Sequence, residues 1–159
     1  MLKQPRQWLA LGLGSGLAPK APGTFGTIAA IPFYLLIALL PLSLQLLVVV
    51  ISFGIGVYLC GFTAKALGVH DHPAIVWDEF VGLWLTMLAL PLMGQALSYG
   101  WLIGGFIFVR LFDIVKPWPI RWADQQVSGG LGIMLDDVLA GIYAGLCLAL
   151  IIHVSRWLT

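Results

Sequence analysis

Charge is what this chain has least of. Asp, Glu, Lys and Arg together make up 9% of its 159 residues, against about 25% in soluble domains. That scarcity, beside a 60% hydrophobic content and a mean hydropathy of +1.00, argues against a soluble globular domain and for a chain embedded in a bilayer. A net charge of +1 leaves no basic surface for nucleic acid, and no such partner is expected. Cysteine is nearly absent. Cys60 and Cys147 each stand alone in an apolar run, which excludes a Cys-x-x-Cys redox or zinc motif and leaves them as small buried side chains. No clean h-region with a small-residue cleavage site follows the basic start Met1–Arg6, so no removed signal peptide is read. Internal repeats, low-complexity tracts and a second domain are also missing, and residues 1–159 are taken as one membrane domain.

What is present is a series of apolar runs between breakers. Residues 7–23 hold Gly12, Gly14, Gly16, Pro19, Pro22 and Gly23. They suit a short interfacial segment followed by a loop rather than a span. Neither a dinucleotide fingerprint nor a P-loop is formed there, because no strand precedes the glycines and no Lys-Ser/Thr pair follows them. Helices are then expected over about 24–40, 43–66, 76–90, 99–115 and 131–157. Thr24 is placed to cap the first of these, and Pro91 to close the third. The expected architecture is an all-α, polytopic bundle of about five transmembrane or membrane-embedded helices with an N-terminal interfacial segment. Several runs fall short of the roughly 20 residues of a straight span, so four spans with one re-entrant or interfacial helix is the other arrangement. Gly141-x-x-x-Gly145 marks close helix packing. Trp77, Trp118, Trp122 and Trp157 fit interfacial belts.

Five spans put Lys3, Arg6, Lys20, Lys65, Arg110, Lys116 and Arg121 on one side and only Arg156 on the other. By the positive-inside rule the first side is cytoplasmic. All seven acids fall on that same side. Asp78 and Glu79 open the third long helix, Asp113 ends the fourth, Asp136 and Asp137 lie in the first turns of the fifth, and Asp71 and Asp124 sit in loops. A carboxylate at membrane depth costs roughly 3 kcal/mol on insertion scales, so these acids must be paired, metal-bound or open to water. The helix macrodipole accounts for acids at N-termini, but it disfavours Asp113 at a C-terminus. Three helices presenting hard oxygen ligands at one depth make Asp78, Glu79, Asp113, Asp136 and Asp137 a candidate magnesium site. Arg110, Asp113 and Lys116 share a helix face at three-residue spacing. They read either as an internal ion pair or as a metal ligand beside two phosphate-binding cations. Lys20 with Thr24 and Thr27 forms a second candidate anion site at a helix start. His70 and His72 read as a solvated pair. A cation carrier or channel subunit would also use intramembrane acids, but it predicts them spread through the bilayer rather than gathered beside cations at one face.

Four blocks in this chain resemble those of the phosphatidylglycerophosphatase A family. They are Ala18-Pro-Lys20-Ala-Pro-Gly-Thr24-Phe-Gly-Thr27, Ile75-Val-Trp-Asp78-Glu79-Phe-Val-Gly82, Arg110-Leu-Phe-Asp113-Ile-Val-Lys116-Pro-Trp-Pro119 and Gly129-Gly-Leu-Gly-Ile-Met-Leu-Asp136-Asp137-Val-Leu-Ala-Gly141. They cover nearly the whole length. The resemblance implies a magnesium-dependent phosphoric monoester hydrolase of the bacterial inner membrane, multi-pass, converting phosphatidylglycerophosphate to phosphatidylglycerol and inorganic phosphate. Such an enzyme needs an acidic cluster and cations around a phosphomonoester. Asp78, Glu79, Asp113 and Asp137 are then the catalytic candidates. Lys20, Thr24, Thr27, Arg110, Lys116 and Arg121 are the substrate-binding candidates. The nucleophile is an activated water or one of the aspartates. The histidine signatures of type 2 lipid phosphatases and the Asp-Gly-x2-Ala-Arg pattern of CDP-alcohol phosphotransferases do not occur.

Overall fold

The structure, a computed structural model, describes residues 4–69 and 71–158. Lys3, which entered the charge-sidedness argument, and His70 lie outside the described residues. Every regular element described is helical. The chain runs through α1 (Pro5–Ala10), a 3-10 segment (Gly12–Leu17), α2 (Pro22–Ile37), α3 (Leu42–Leu67), α4 (Trp77–Met87), α5 (Ala89–Leu92), α6 (Tyr99–Val115), α7 (Ile120–Gln126) and α8 (Gly129–Leu158).

The long apolar runs become helices near their expected limits, and the departures have local causes. α2 begins at Pro22, two residues before Thr24, because proline suits the first helical position. Its N-cap is Ala21 in the left-handed region, and no side chain caps it, so Thr24 lies within the first turn and is not the cap. Pro91 does not close the third expected helix at its own position. α4 stops at Met87, and Pro91 sits inside the following turn α5. A proline at 91 cannot donate to the carbonyl of Met87, and the Tyr34 hydroxyl of α2 approaches that carbonyl at 3.4 Å instead. The polar stretch before α8 contains a helical turn, α7, that composition did not suggest.

The shortest of the expected spans, α4, lies at the centre. It packs against α2, α3, α6 and α8. Phe80, Val81, Leu83, Trp84 and Met87 are all buried. Indole N–H groups brought inside must be satisfied: Trp84 Nε1 donates to the Ala30 carbonyl and Trp77 Nε1 to the Ser52 carbonyl, each at 3.0 Å. Trp77 is therefore not a belt residue; it is half-buried and stacked on Phe80. Trp118, Trp122 and Trp157 are exposed.

Among the described residues, α3 and α8 are the helices long and apolar enough to cross a membrane, and only 33% and 28% of their apolar windows are buried. A core helix of a soluble protein would be mostly enclosed. Here the outward faces carry Leu47, Val50, Ile51, Leu146 and Leu150 to the surface.

Glycine sets how closely α4 and α8 approach. A Cβ on Gly141 would lie 2.7 Å from the Gly82 carbonyl, and one on Gly145 would lie 3.4 Å from the Thr86 carbonyl. Gly141→Ala is expected to lower the unfolding midpoint of the detergent-solubilised protein, by about 1–3 kcal/mol. Gly54 in α3 has nothing within 4 Å of its Cβ position, and Gly54→Ala serves as the tolerated control. Equal midpoints for the two variants would contradict the close crossing.

Candidate active site

Five acids from three helices line one cavity of about 400 Å³. Asp78 and Glu79 come from the first turn of α4, Asp113 from the last turn of α6, and Asp136 and Asp137 from about two turns into α8. Asp71, Pro22, Gly23 and Lys116 complete its polar and backbone rim. The chain's seventh acid, Asp124, reaches the rim through Lys116. Arg156 lies about 28 Å further along α8 at 1.5 Å per residue, where it donates to the Met93 carbonyl. Acids and the far-end cation are thus separated along the bundle.

Three of the five acids converge. One oxygen each from Glu79, Asp113 and Asp137 lies within 4.8 Å of the other two. Asp137 Oδ1 is buried and has no hydrogen-bond partner among the described residues. A buried carboxylate oxygen without a donor is costly. Hard, anionic oxygens grouped in this way suit a hard divalent cation, so the residues fit a metal. Asp78 and Asp136 line the same cavity outside this triad.

The cations hold the acids in place. Arg110 Nη1 donates to Glu79 Oε2 and also forms an ion pair with Asp113 Oδ2 at 3.0 Å. The three-residue pair within α6 therefore forms, and the same guanidinium reaches across to α4. Thr27 Oγ1 lies 2.9 Å from the Gly23 carbonyl and 3.0 Å from Glu79 Oε2, so its one proton serves two acceptors and the threonine helps orient Glu79. Gly23 matters for the same reason, since a Cβ there would run into Glu79 Oε1 and crowd the Arg110 guanidinium. Lys116 Nζ donates to Asp136 Oδ2 at 2.7 Å and to Asp124 Oδ1 at 2.8 Å. Burial works against the Lys116 charge, but its two carboxylate partners outweigh that and hold its pKa above the ordinary lysine value.

The remaining candidates are placed differently. Lys20 is exposed and Thr24 half-buried, and neither lines the cavity; Arg121 lines a neighbouring one. His72 Nδ1 accepts the Ala74 N–H at 3.1 Å in a turn, and His72 does not line the cavity although its neighbours Asp71 and Pro73 do. Sequence reading passed over Gly23 and the cavity-lining role of Asp71. The signal for Gly23 was its position between Pro22 and Thr24 at a helix start; Asp71 in a polar loop gave none.

The chain matches the family model described as phosphatidylglycerophosphatase A over residues 8–152. It is 51% identical over 154 residues to the phosphatidylglycerophosphatase A of Escherichia coli strain K12, covering 96% of this chain and 87% of that protein. It is 46% identical over 144 residues to the phosphatidylglycerophosphatase A of Haemophilus influenzae, covering 90% and 86%. A Bacteroides thetaiotaomicron protein carrying the provisional name phosphatidylinositol-3-phosphatase is 38% identical over 155 residues, covering 94% and 92%. No solved structure matches the chain. The matched residues contain all six cavity acids and the cations Arg110 and Lys116 that pair with them, and the chain belongs to the phosphatidylglycerophosphatase A family.

Proposed function

We propose that this chain hydrolyses phosphatidylglycerophosphate to phosphatidylglycerol and inorganic phosphate, with magnesium, at the cytoplasmic face of a bacterial inner membrane. The observation that carries the reading is the Glu79–Asp113–Asp137 triad with its unpartnered buried oxygen, in a chain whose relatives are named for this reaction. Magnesium suits a set made only of carboxylates, with no histidine or cysteine among the triad. When bound, it would neutralise charge developing on the phosphoryl oxygens.

The chain's own residues supply the rest. Glu79, Asp113 and Asp137 would hold the ion. Arg110 and Thr27 fix Glu79, and Arg110 also fixes Asp113. Lys116 lines the cavity, where its ammonium meets the incoming phosphomonoester dianion. Asp78 lines the cavity outside the triad and accepts the Glu79 N–H at 3.0 Å through Oδ1. We assign it to take the proton of the attacking water. Water is the nucleophile; the bond between phosphorus and the glycerol oxygen breaks, and that oxygen leaves as the alcohol with the proton that Asp78 took from the water, passed on through solvent. Lys20 and Thr24 remain candidates for the first encounter with the headgroup at the start of α2.

Five membrane-embedded helices, α2, α3, the α4–α5 pair, α6 and α8, are the arrangement we favour. The outward apolar faces of α3 and α8 support it, and the cation asymmetry supports a cytoplasmic site. Detergent-purified protein should release inorganic phosphate from phosphatidylglycerophosphate with magnesium and not after chelation. Absence of release by folded wild-type protein would refute the activity. Undiminished release after chelation would refute the metal requirement alone.

A further inference from the structure

A second cavity, also of about 400 Å³, adjoins the acidic one. Lys116 lines both. The two have opposite electrostatic character. The first is walled by acids; the second is lined by Lys116, Arg121, Gln125, Trp118 and Trp122 among others, with no carboxylate in its wall. Its two cations also differ. Lys116 is engaged by Asp124 and Asp136. Arg121 is exposed and has no ion-pair partner among the described residues. A guanidinium with its fork of donors uncommitted is the side chain best shaped for a phosphate group. The two exposed tryptophans mark the level of lipid headgroups, where the indole is half in hydrocarbon and half in water.

The proposed substrate carries two phosphates of different kinds. The terminal one is the monoester that is cleaved. The other is a diester that joins the same glycerol to the diacylglycerol and is not cleaved. We infer that the Arg121 cavity is the subsite for this second, phosphodiester group, with Arg121 as its principal donor and Gln125 beside it for the glycerol hydroxyl. Lys116 stands between the two subsites and contacts the headgroup where its two phosphates diverge. Binding the diester in this cavity orients the monoester toward the triad and directs the acyl chains past Trp118 and Trp122 into the bilayer. Arg121 is thus a specificity-determining residue: it rewards a lipid that has a diester one glycerol away from the monoester. The inference rests on the phosphatase reading proposed above.

The test uses the two products as probes, because each carries one of the two groups. Phosphatidylglycerol in mixed micelles has only the diester, and inorganic phosphate fills only the monoester site. In Arg121→Gln, the KM for phosphatidylglycerophosphate and the inhibition constant of phosphatidylglycerol are both expected to rise about tenfold or more, the weight of one charged hydrogen bond. The inhibition constant of inorganic phosphate should stay at the wild-type value, and kcat should fall far less than KM rises. Arg121→Lys should recover part of the phosphatidylglycerol affinity, since charge returns without the fork. An unchanged phosphatidylglycerol constant in Arg121→Gln overturns the inference. So does an equal loss for both products, which would mark a general disturbance of the site. Wild-type turnover of phosphatidylglycerophosphate, measured in the same series, reports on the phosphatase reading separately.

Discussion

Asp137→Asn is expected to lower magnesium-dependent phosphate release at least about a hundredfold while leaving the protein folded. Two decades correspond to about 2.7 kcal/mol of transition-state stabilisation, within the range of removing one essential electrostatic group. The substitution keeps the shape of the side chain and removes one formal charge from the triad. It acts on the acid whose Oδ1 has no donor among the described residues, so no internal hydrogen bond to that atom is lost. A buried charge without a partner opposes folding. The metal-free variant should therefore unfold at the same temperature as wild type or above it. With magnesium the order should reverse. A ligand at a hundred times its Kd stabilises the native state by about 2.7 kcal/mol, and the variant should lose most of that increment. Thermal unfolding with and without magnesium, beside a phosphate-release assay, measures both effects. Wild-type activity with a full magnesium shift in Asp137→Asn would remove this residue from the site.

Removing the cation that braces the triad should act on the fold itself. Arg110 bridges Glu79 of α4 and Asp113 of its own helix, and the three side chains are only 14%, 9% and 15% exposed. Arg110→Ala leaves two enclosed carboxylates near Asp137 without their counter-charge. Breaking a buried pair in this one-sided way typically costs about 3–5 kcal/mol, and the unfolding midpoint should drop accordingly. The pairing can be tested through its partner. Glu79→Gln introduced into Arg110→Ala removes one orphaned charge, so the double variant should be more stable than Arg110→Ala alone, a coupling that independent sites do not show. Arg110→Lys keeps the charge but cannot span both acids with one planar group, so its loss should fall between wild type and Arg110→Ala. An unchanged midpoint in Arg110→Ala would mean that water, rather than the guanidinium, compensates these acids.

Charge sidedness and helix position were readable directly from the residues. Apolar runs bounded by Pro41, Pro117 and the Gly129-Gly130 pair become α3, α6 and α8, because a long uncharged run has few alternatives to a helix. The acids could be placed at one end of the bundle because each adjoins a helix terminus on the cation-rich side. The three-residue spacing of Arg110 and Asp113 put them on one face but left open whether they pair or whether Arg110 faces a phosphate; the structure has the ion pair.

Which acids meet was a different question. Asp78 and Glu79 are neighbours, as are Asp136 and Asp137, and neighbours on a helix point about 100° apart. Composition cannot choose between them when every face of the helix is apolar. The choice of Glu79 and Asp137 for the triad depends on how α4 is rotated against α8, and that rotation follows from the close approach at Gly82 and Gly141. The same contact decides that an eleven-residue helix, α4, occupies the centre, although by length it was the weakest of the expected spans.

The sequence by itself determined the family, the all-helical class and the end of the bundle at which the acids gather, because these depend on residue type and order. Only the tertiary structure decided that Arg110 reaches Glu79, that Thr27 serves Glu79 instead of facing the cavity, and that Arg121 opens onto a cavity of its own. The first two contacts join residues far apart in the chain, brought together by helix packing that no local pattern encodes; the Arg121 cavity is walled by residues 115–125, and the way the chain turns from α6 into α7 shapes it.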